Sequence, residues 1–224
     1  MKLCRSFLLF TALCTAASAQ VADKANEGYK TKEGRESVSK TLADPHRDER
    51  QKPRELVEAM GLQPGETVVD LGTGVGYMLP YLSHAVGATG KVIAEDIQTD
   101  FLDKARTRVT SLNLKNVTFV LGGEHDPKLP GDTANSILVL DVYHHFDYPE
   151  EMLRHIRDCL QSDGRLVIVD YYKRPDAMPN GRALEHIRID EDDVIKEVEA
   201  NGFRLVSQHE HLPKVQYMAI FQKK

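Results

Sequence analysis

The chain has 224 residues, with 29 lysines and arginines against 34 aspartates and glutamates, for a formal net charge of −5. That length suits one α/β domain with a sizeable core. The acidic balance argues against nonspecific capture of nucleic-acid phosphates, so no nucleic-acid partner is expected.

The first residues follow the grammar of a secretory signal. Met1 to Arg5 form a short basic start, Ser6 to Ala17 are mostly apolar, and Ala17-Ser18-Ala19 is a small-x-small cleavage signal. Cleavage is expected before Gln20, making residues 1–19 a signal peptide and the mature protein periplasmic or secreted. The alternative is an uncleaved N-terminal anchor. The apolar stretch is short for a membrane span, so the mature chain is expected to have no integral span. Leu13 precedes Cys14 where a lipoprotein site wants a small residue. Loss of the leader removes Cys4 and Cys14 and leaves only Cys159, which forbids an intramolecular disulfide. Cys159 lies on an apolar helix face and reads as a core residue. No Cys/His grouping has zinc-site spacing, so no metal is expected.

Residues 20–52 form a polar, charged extension with little apolar periodicity. Within it, residues 34–42 suit a short helix, and Asp44 to Asp48 turn into a helix over Pro53 to Met60. The domain proper is read as 53–224. Its most informative stretch is Val-Val-Asp-Leu-Gly-Thr-Gly-Val-Gly-Tyr over residues 68–77. A buried strand ends in Asp70. Gly72, Gly74 and Gly76 then allow a sharp turn and close approach to a ligand. A helix follows, with Pro80 in its first turn.

Strand, glycine turn and helix make a nucleotide-site architecture. The dinucleotide fingerprint is Gly-x-Gly-x-x-Gly, whereas the spacing here is Gly-x-Gly-x-Gly. A carboxylate at Asp70 repels a pyrophosphate and attracts a cation. The pattern resembles motif I of class I S-adenosylmethionine-dependent methyltransferases, whose ligand carries a sulfonium and an ammonium and no phosphate. The resemblance assigns the donor loop to Asp70, Gly72, Thr73, Gly74 and Gly76.

Later segments alternate in the same way. Residues 90–97 read as a second strand ending in Glu95 and Asp96. Asp96 matches the family's ribose-binding acid, with Glu95 as the register alternative. Residues 99–109 are helix-like, with Phe101, Leu102, Ala105 and Val109 inward. Residues 116–121 form a third strand. In the next loop Gly123 stands where the family places an adenine-contacting acid, and Glu124 or Asp126 is the substitute, with Glu124 preferred. Residues 136–146 form a fourth strand leading into Asp141, Tyr143, His144 and His145. The His-His pair resembles the branch containing quinone-biosynthesis and related small-molecule methyltransferases. A helix over 149–160, a strand over 164–172, a helix over 190–201 and an antiparallel pair at 202–207 and 216–221 complete the chain.

The resemblance runs from about Lys52 to the C-terminus. It implies a doubly wound, Rossmann-like α/β fold with a seven-stranded sheet, mostly parallel with the last strand antiparallel, and S-adenosylmethionine as cofactor. The extension over 20–52 would cap the site. Methyl transfer from a sulfonium is an in-line displacement in which alignment supplies about 7–11 kcal/mol. His144 or His145, His144 preferred, would orient or deprotonate a small-molecule acceptor. The competing reading makes both histidines structural. Asp141 would touch the donor's methionine amine, and Tyr143, Tyr171 and Tyr172 would line the acceptor pocket. Residues 173–181, with Glu185, His186 and Arg188, would form a lid. An exported noncatalytic binder of S-adenosylmethionine or a nucleoside is the alternative function. A nicotinamide-dependent dehydrogenase is a third, disfavoured by the glycine spacing. The acceptor and the oligomeric state are left open.

Overall fold

The computed structural model describes residues 21–224. The signal peptide expected over 1–19 lies outside the described residues. Four helices precede the sheet: α1 (Asp23–Asn26), α2 (Lys32–Leu42), α3 (Arg47–Gln51) and α4 (Pro53–Met60). The hydroxyl of Thr31 caps α2 by accepting from the Gly34 N–H. Pro53 opens α4, and Gly61 ends it in a left-handed conformation.

Strands and helices then alternate: β1 (Thr67–Leu71), α5 (Leu79–Val86), β2 (Lys91–Asp96), α6 (Thr99–Ser111), β3 (Val117–Leu121) and β4 (Ala134–Leu140). They continue with α7 (Pro149–Cys159), β5 (Leu160–Tyr171), α8 (Ala183–His186), α9 (Glu191–Ala200), β6 (Phe203–Leu212) and β7 (Gln216–Lys223). The sheet order is β3-β2-β1-β4-β5-β7-β6. Strands β1 to β5 pair in parallel, and β7 runs antiparallel to both β5 and β6. This is the seven-stranded, mostly parallel sheet with a reversed last strand that the resemblance implies.

Period-two alternation divides the core between the two sheet faces. Val68 and Leu138 face one layer with Leu56, Leu79 and Leu82 from α4 and α5. Val69, Ile137 and Val139 face the other with Leu153 and Ile156 from α7 and Val194 and Val198 from α9. Cys159 is fully buried in that second layer.

Two strands are longer than their apolar pattern. β5 begins at Leu160 rather than Gly164: Leu160 pairs with Ala134, and the register shifts before Ser136. Gly164 permits this irregularity, because a Cβ there would lie 2.9 Å from the Ala134 carbonyl oxygen. β6 continues through the polar residues Gln208 to Glu210, because an edge strand can be held by backbone bonding to β7 without an apolar face.

Candidate functional site

The order β2-β1-β4 makes β1 the point where the connections change direction, and a crevice opens there at the strand C-termini. Register sets what lines it. Asp70 pairs with Ala94 of β2 and with Leu138 of β4, and Leu71 pairs with Glu95. The tips carrying Asp70, Glu95, Asp96 and Asp141 therefore meet at one edge, around a cavity of about 330 Å³.

The glycine loop follows from this crowding. Gly72, Gly74 and Gly76 all have positive φ (74°, 56° and 78°). A Cβ on Gly72 would stand 2.6 Å from Cγ2 of Val142, the residue after the β4 tip, so a side chain there fails on both conformation and space. The loop amides are held by the second strand: the Gly72 N–H donates to Glu95 Oε2 (3.2 Å) and the Gly74 N–H to Asp96 Oδ2 (2.8 Å). Asp96 Oδ1 also accepts from the Gln98 N–H at 2.8 Å. Asp70 accepts from the Thr73 hydroxyl at 2.6 Å.

Among the described residues, Arg47 ion-pairs with Asp141, and no ion pair reaches Asp70, Glu95 or Asp96. Asp70, Glu95 and Asp96 are buried, and Asp141 opens partly onto the cavity. Burial pushes Asp70 up to about 6, against the opposing Thr73 hydroxyl and Arg47. Burial pushes Asp96 up to about 6 as well, against the amides of Gln98 and Gly74. Asp141 rises to about 7, chiefly through burial and despite Arg47. Glu95 rises well above the usual carboxylate range through burial and its neighbour Asp96. Its Oε1 is buried without a hydrogen-bond partner among the described residues. Uncompensated carboxylates and an orphaned acceptor suit a ligand that brings cationic and hydroxyl groups. S-adenosylmethionine fits that description.

Asp141 itself sits at φ 56°, the left-handed region that few residues other than glycine adopt. Gln216 of β7 donates to its Oδ1 (2.5 Å) and Arg47 of α3 to its Oδ2 (3.4 Å). The Arg47 guanidinium lies 4.1 Å over the Tyr77 ring.

The described part of the extension, residues 21–52, contributes a wall of the cavity, including Asn26, Tyr29, Leu42 and Arg47. It is tied down along its length. Arg35 pairs with Asp100 at 2.8 Å, Lys104 with Glu36 at 2.6 Å, and Asp48 accepts from the hydroxyls of Tyr77 and Tyr81.

The two adjacent histidines fall in different places. His145 lines the cavity; its Nδ1 lies 2.8 Å from Asn26 Oδ1, and Tyr29 stands edge-on at 4.9 Å. His144 is buried behind it, with Nδ1 2.7 Å from Asp170 Oδ1 and its backbone N–H donating to Asp170 Oδ2 at 3.0 Å. Burial holds His145 well below the usual imidazole range and His186 at about 4.

The tyrosines named from the sequence lie elsewhere. Tyr143 is buried in the α7–α9 layer and donates to Glu197 Oε1 at 2.7 Å. Tyr172 packs between Arg174 and Tyr217. Tyr171 stands edge-on to His144 at 6.5 Å, away from the cavity wall. The short turn after β4 winds Tyr143–His145 into a 3-10 helix, so successive side chains diverge and Tyr143 turns inward. Glu124 and Gly123 both line the cavity, and Glu124 is exposed.

The sequence reading did not single out Asn26, Tyr29, Arg47 or Gln216. They sit in a polar extension and a distant strand, and no local pattern connects them to the glycine loop. His186, expected in a lid, comes against the His-His pair, with its ring 5.0 Å from His144 and 5.5 Å from His145.

Comparison with known proteins agrees with this geometry. Residues 46–208 match the family described as a methyltransferase domain. A crystal structure of a SAM-dependent methyltransferase from Aquifex aeolicus is similar, with a TM-score of 0.77 and 31% identity, over 84% of this chain and 98% of that one. The ubiquinone/menaquinone biosynthesis C-methyltransferase UbiE of Pseudomonas fluorescens is 27% identical over 126 residues, covering 56% of this chain and 49% of that protein. The chain thus spans about half the length of the curated relatives it matches. The [4+2]-cyclase SpnF, at 13% identity and a TM-score of 0.66 over 77% of this chain and 81% of that one, shares the fold alone.

Proposed function

Because this chain belongs to the S-adenosylmethionine-dependent methyltransferase family, we propose that it transfers a methyl group to a small-molecule acceptor by in-line displacement. The observation that carries the reading is the set of carboxylates around the glycine loop, of which Arg47 ion-pairs with Asp141 alone and to which a cationic ligand would add the balancing charge. Asp70 and Thr73 order the loop, and Asp96 receives the ribose hydroxyls on the lone pairs left by its two amide donors. Asp141 takes the methionine ammonium, and exposed Glu124 stands at the adenine end. When bound, S-adenosylmethionine would supply an activated methyl group, its sulfur–carbon bond breaking as the acceptor–carbon bond formed and the acceptor gave up a proton. Arg47, Tyr29 and the rest of the N-terminal wall exclude water from that line.

His145 faces the acceptor side. Asn26 directs both of its amide N–H groups elsewhere, to the His145 carbonyl oxygen (3.1 Å) and to Asp147 Oδ2 (3.0 Å), so its own oxygen meets Nδ1 of His145. Nδ1 therefore carries the proton, and Nε2 presents a lone pair on the acceptor side. The relatives named as quinone-biosynthesis C-methyltransferases support a phenol- or quinol-like acceptor.

Calorimetric titration of the purified protein with S-adenosylmethionine, S-adenosylhomocysteine and NAD tests the reading. The first two are expected to bind and NAD is not; failure of both methionine ligands overturns it. Transfer of a labelled methyl group to a panel of phenols and quinols then separates an enzyme from a noncatalytic binder.

A further inference from the structure

We infer that His144, His145 and His186 form a three-imidazole site for a zinc-class divalent cation at the acceptor side of the cavity. One ligand nitrogen from each lies within 4.8 Å of the other two. The His144 and His145 rings are 4.1 Å apart, and the His186 ring completes the triangle.

The tautomers are set by neighbours outside the triangle. Asp170 accepts from Nδ1 of His144, and the oxygen of Asn26 accepts from Nδ1 of His145. Both rings therefore offer Nε2 as a lone pair. The hydrogen bonds among the described residues place no donor between the three rings. Nitrogens collected in this way suit a shared cation.

Asp170 strengthens the assignment. It is buried and holds His144 by two bonds, one to the ring and one to the backbone. A carboxylate behind a ligating histidine fixes its orientation and raises its basicity. Three neutral imidazoles with an open fourth position suit zinc, and imidazole also accommodates copper, iron and nickel. Because His145 lines the donor cavity, the open position would face the acceptor. A cation there favours an acceptor with an ionisable oxygen, such as a phenol or enol, whose deprotonated form it would hold. The site stands on the histidines, whereas this use of it rests on the methyl-transfer reading above.

Chelator-stripped protein titrated with Zn²⁺ by calorimetry, and with Co²⁺ by visible absorption, tests the site. One equivalent is expected to bind, with the intense cobalt bands of a four-coordinate site. His186→Ala and the size-conserving His186→Gln are each expected to weaken binding by about 100-fold or more, and Asp170→Asn by about 10–100-fold. S-adenosylhomocysteine affinity and thermal melting of each variant report separately on the donor site and on folding. No saturable metal binding by the wild-type protein, or His186→Gln binding as tightly as wild type, overturns the inference. Metal binding without binding of S-adenosylhomocysteine supports the site and overturns the methyl-donor reading alone.

Discussion

At the scale of single residues, Asp141 combines a left-handed backbone with a carboxylate raised to about 7. The folded state holds its proton more tightly than the unfolded chain does. Its contribution to stability is therefore full below the unfolded value of 3.8 and is lost as pH rises through about 7. Asp70 and Asp96 act in the same direction, their contribution being lost as pH rises from 3.8 through about 6. His145 and His186 are depressed and oppose them, since their contribution grows as pH rises toward 6.5. Asp141→Asn keeps the acceptor for Gln216 and tolerates positive φ. The ligand-free variant should melt at least about 2 °C above wild type at pH 8 and by a smaller margin at pH 5.5. Its affinity for S-adenosylhomocysteine at pH 8 should fall about 10-fold or more, as loss of a charge-assisted bond implies. Wild-type affinity should strengthen between pH 6 and 8 as Asp70 and Asp141 ionise. Melting curves and calorimetry across that range check all three expectations. The acids themselves were legible in the sequence because each closes an apolar strand. Their raised proton affinities were not, because those depend on what packs around the strand tips.

At the scale of elements, the β1–α5 turn was readable from glycine spacing alone. Three positive-φ glycines leave few conformations open, and the structure adds the reason for one of them, the approach of Val142 to Gly72. Gly72→Ala should destabilise the fold by about 1–3 kcal/mol, read as a lower urea midpoint at unchanged slope. It should also loosen the Gly72 amide's bond to Glu95. Within residues 20–52 the helix over 34–42 was readable, but the attachments were not. The side chains that tie it down are polar and find partners remote in sequence, as Arg35 does with Asp100 and Arg47 with Asp141. A polar segment read alone looks solvated. The same limit hid the turn after β4, where the sequence shows Tyr143, His144 and His145 together and the 3-10 turn sends them in separate directions.

At the scale of the whole molecule, Gln216 joins parts that are remote in sequence. At the start of β7 and fully buried, it accepts from Gln51 of α3 (2.8 Å) and donates to Asp141 (2.5 Å). The reversed strand inserted between β5 and β6 thus reaches both the N-terminal wall and the β4 tip. Gln216→Ala leaves buried Gln51 and half-buried Asp141 without this partner and should destabilise the protein by about 1–3 kcal/mol. It should weaken S-adenosylhomocysteine binding as well, although the residue lies behind the carboxylate. A drop in stability with unchanged affinity would show Asp141 to be held without it.

Strand and helix order and the glycine turn after β1 were determined by the sequence alone, and the family resemblance carried by that turn implied the doubly wound sheet. Apolar periodicity, glycine spacing and strand-end acids are local signals, written within a few residues of the structure they specify. Only the tertiary structure decided that His186 meets the His-His pair, that Asp170 stands behind His144, and that Arg47 and Gln216 hold Asp141 from opposite sides. Those meetings depend on strand order and on how loops cross the sheet edge. Polar side chains that find partners at long range leave no periodic trace in the sequence.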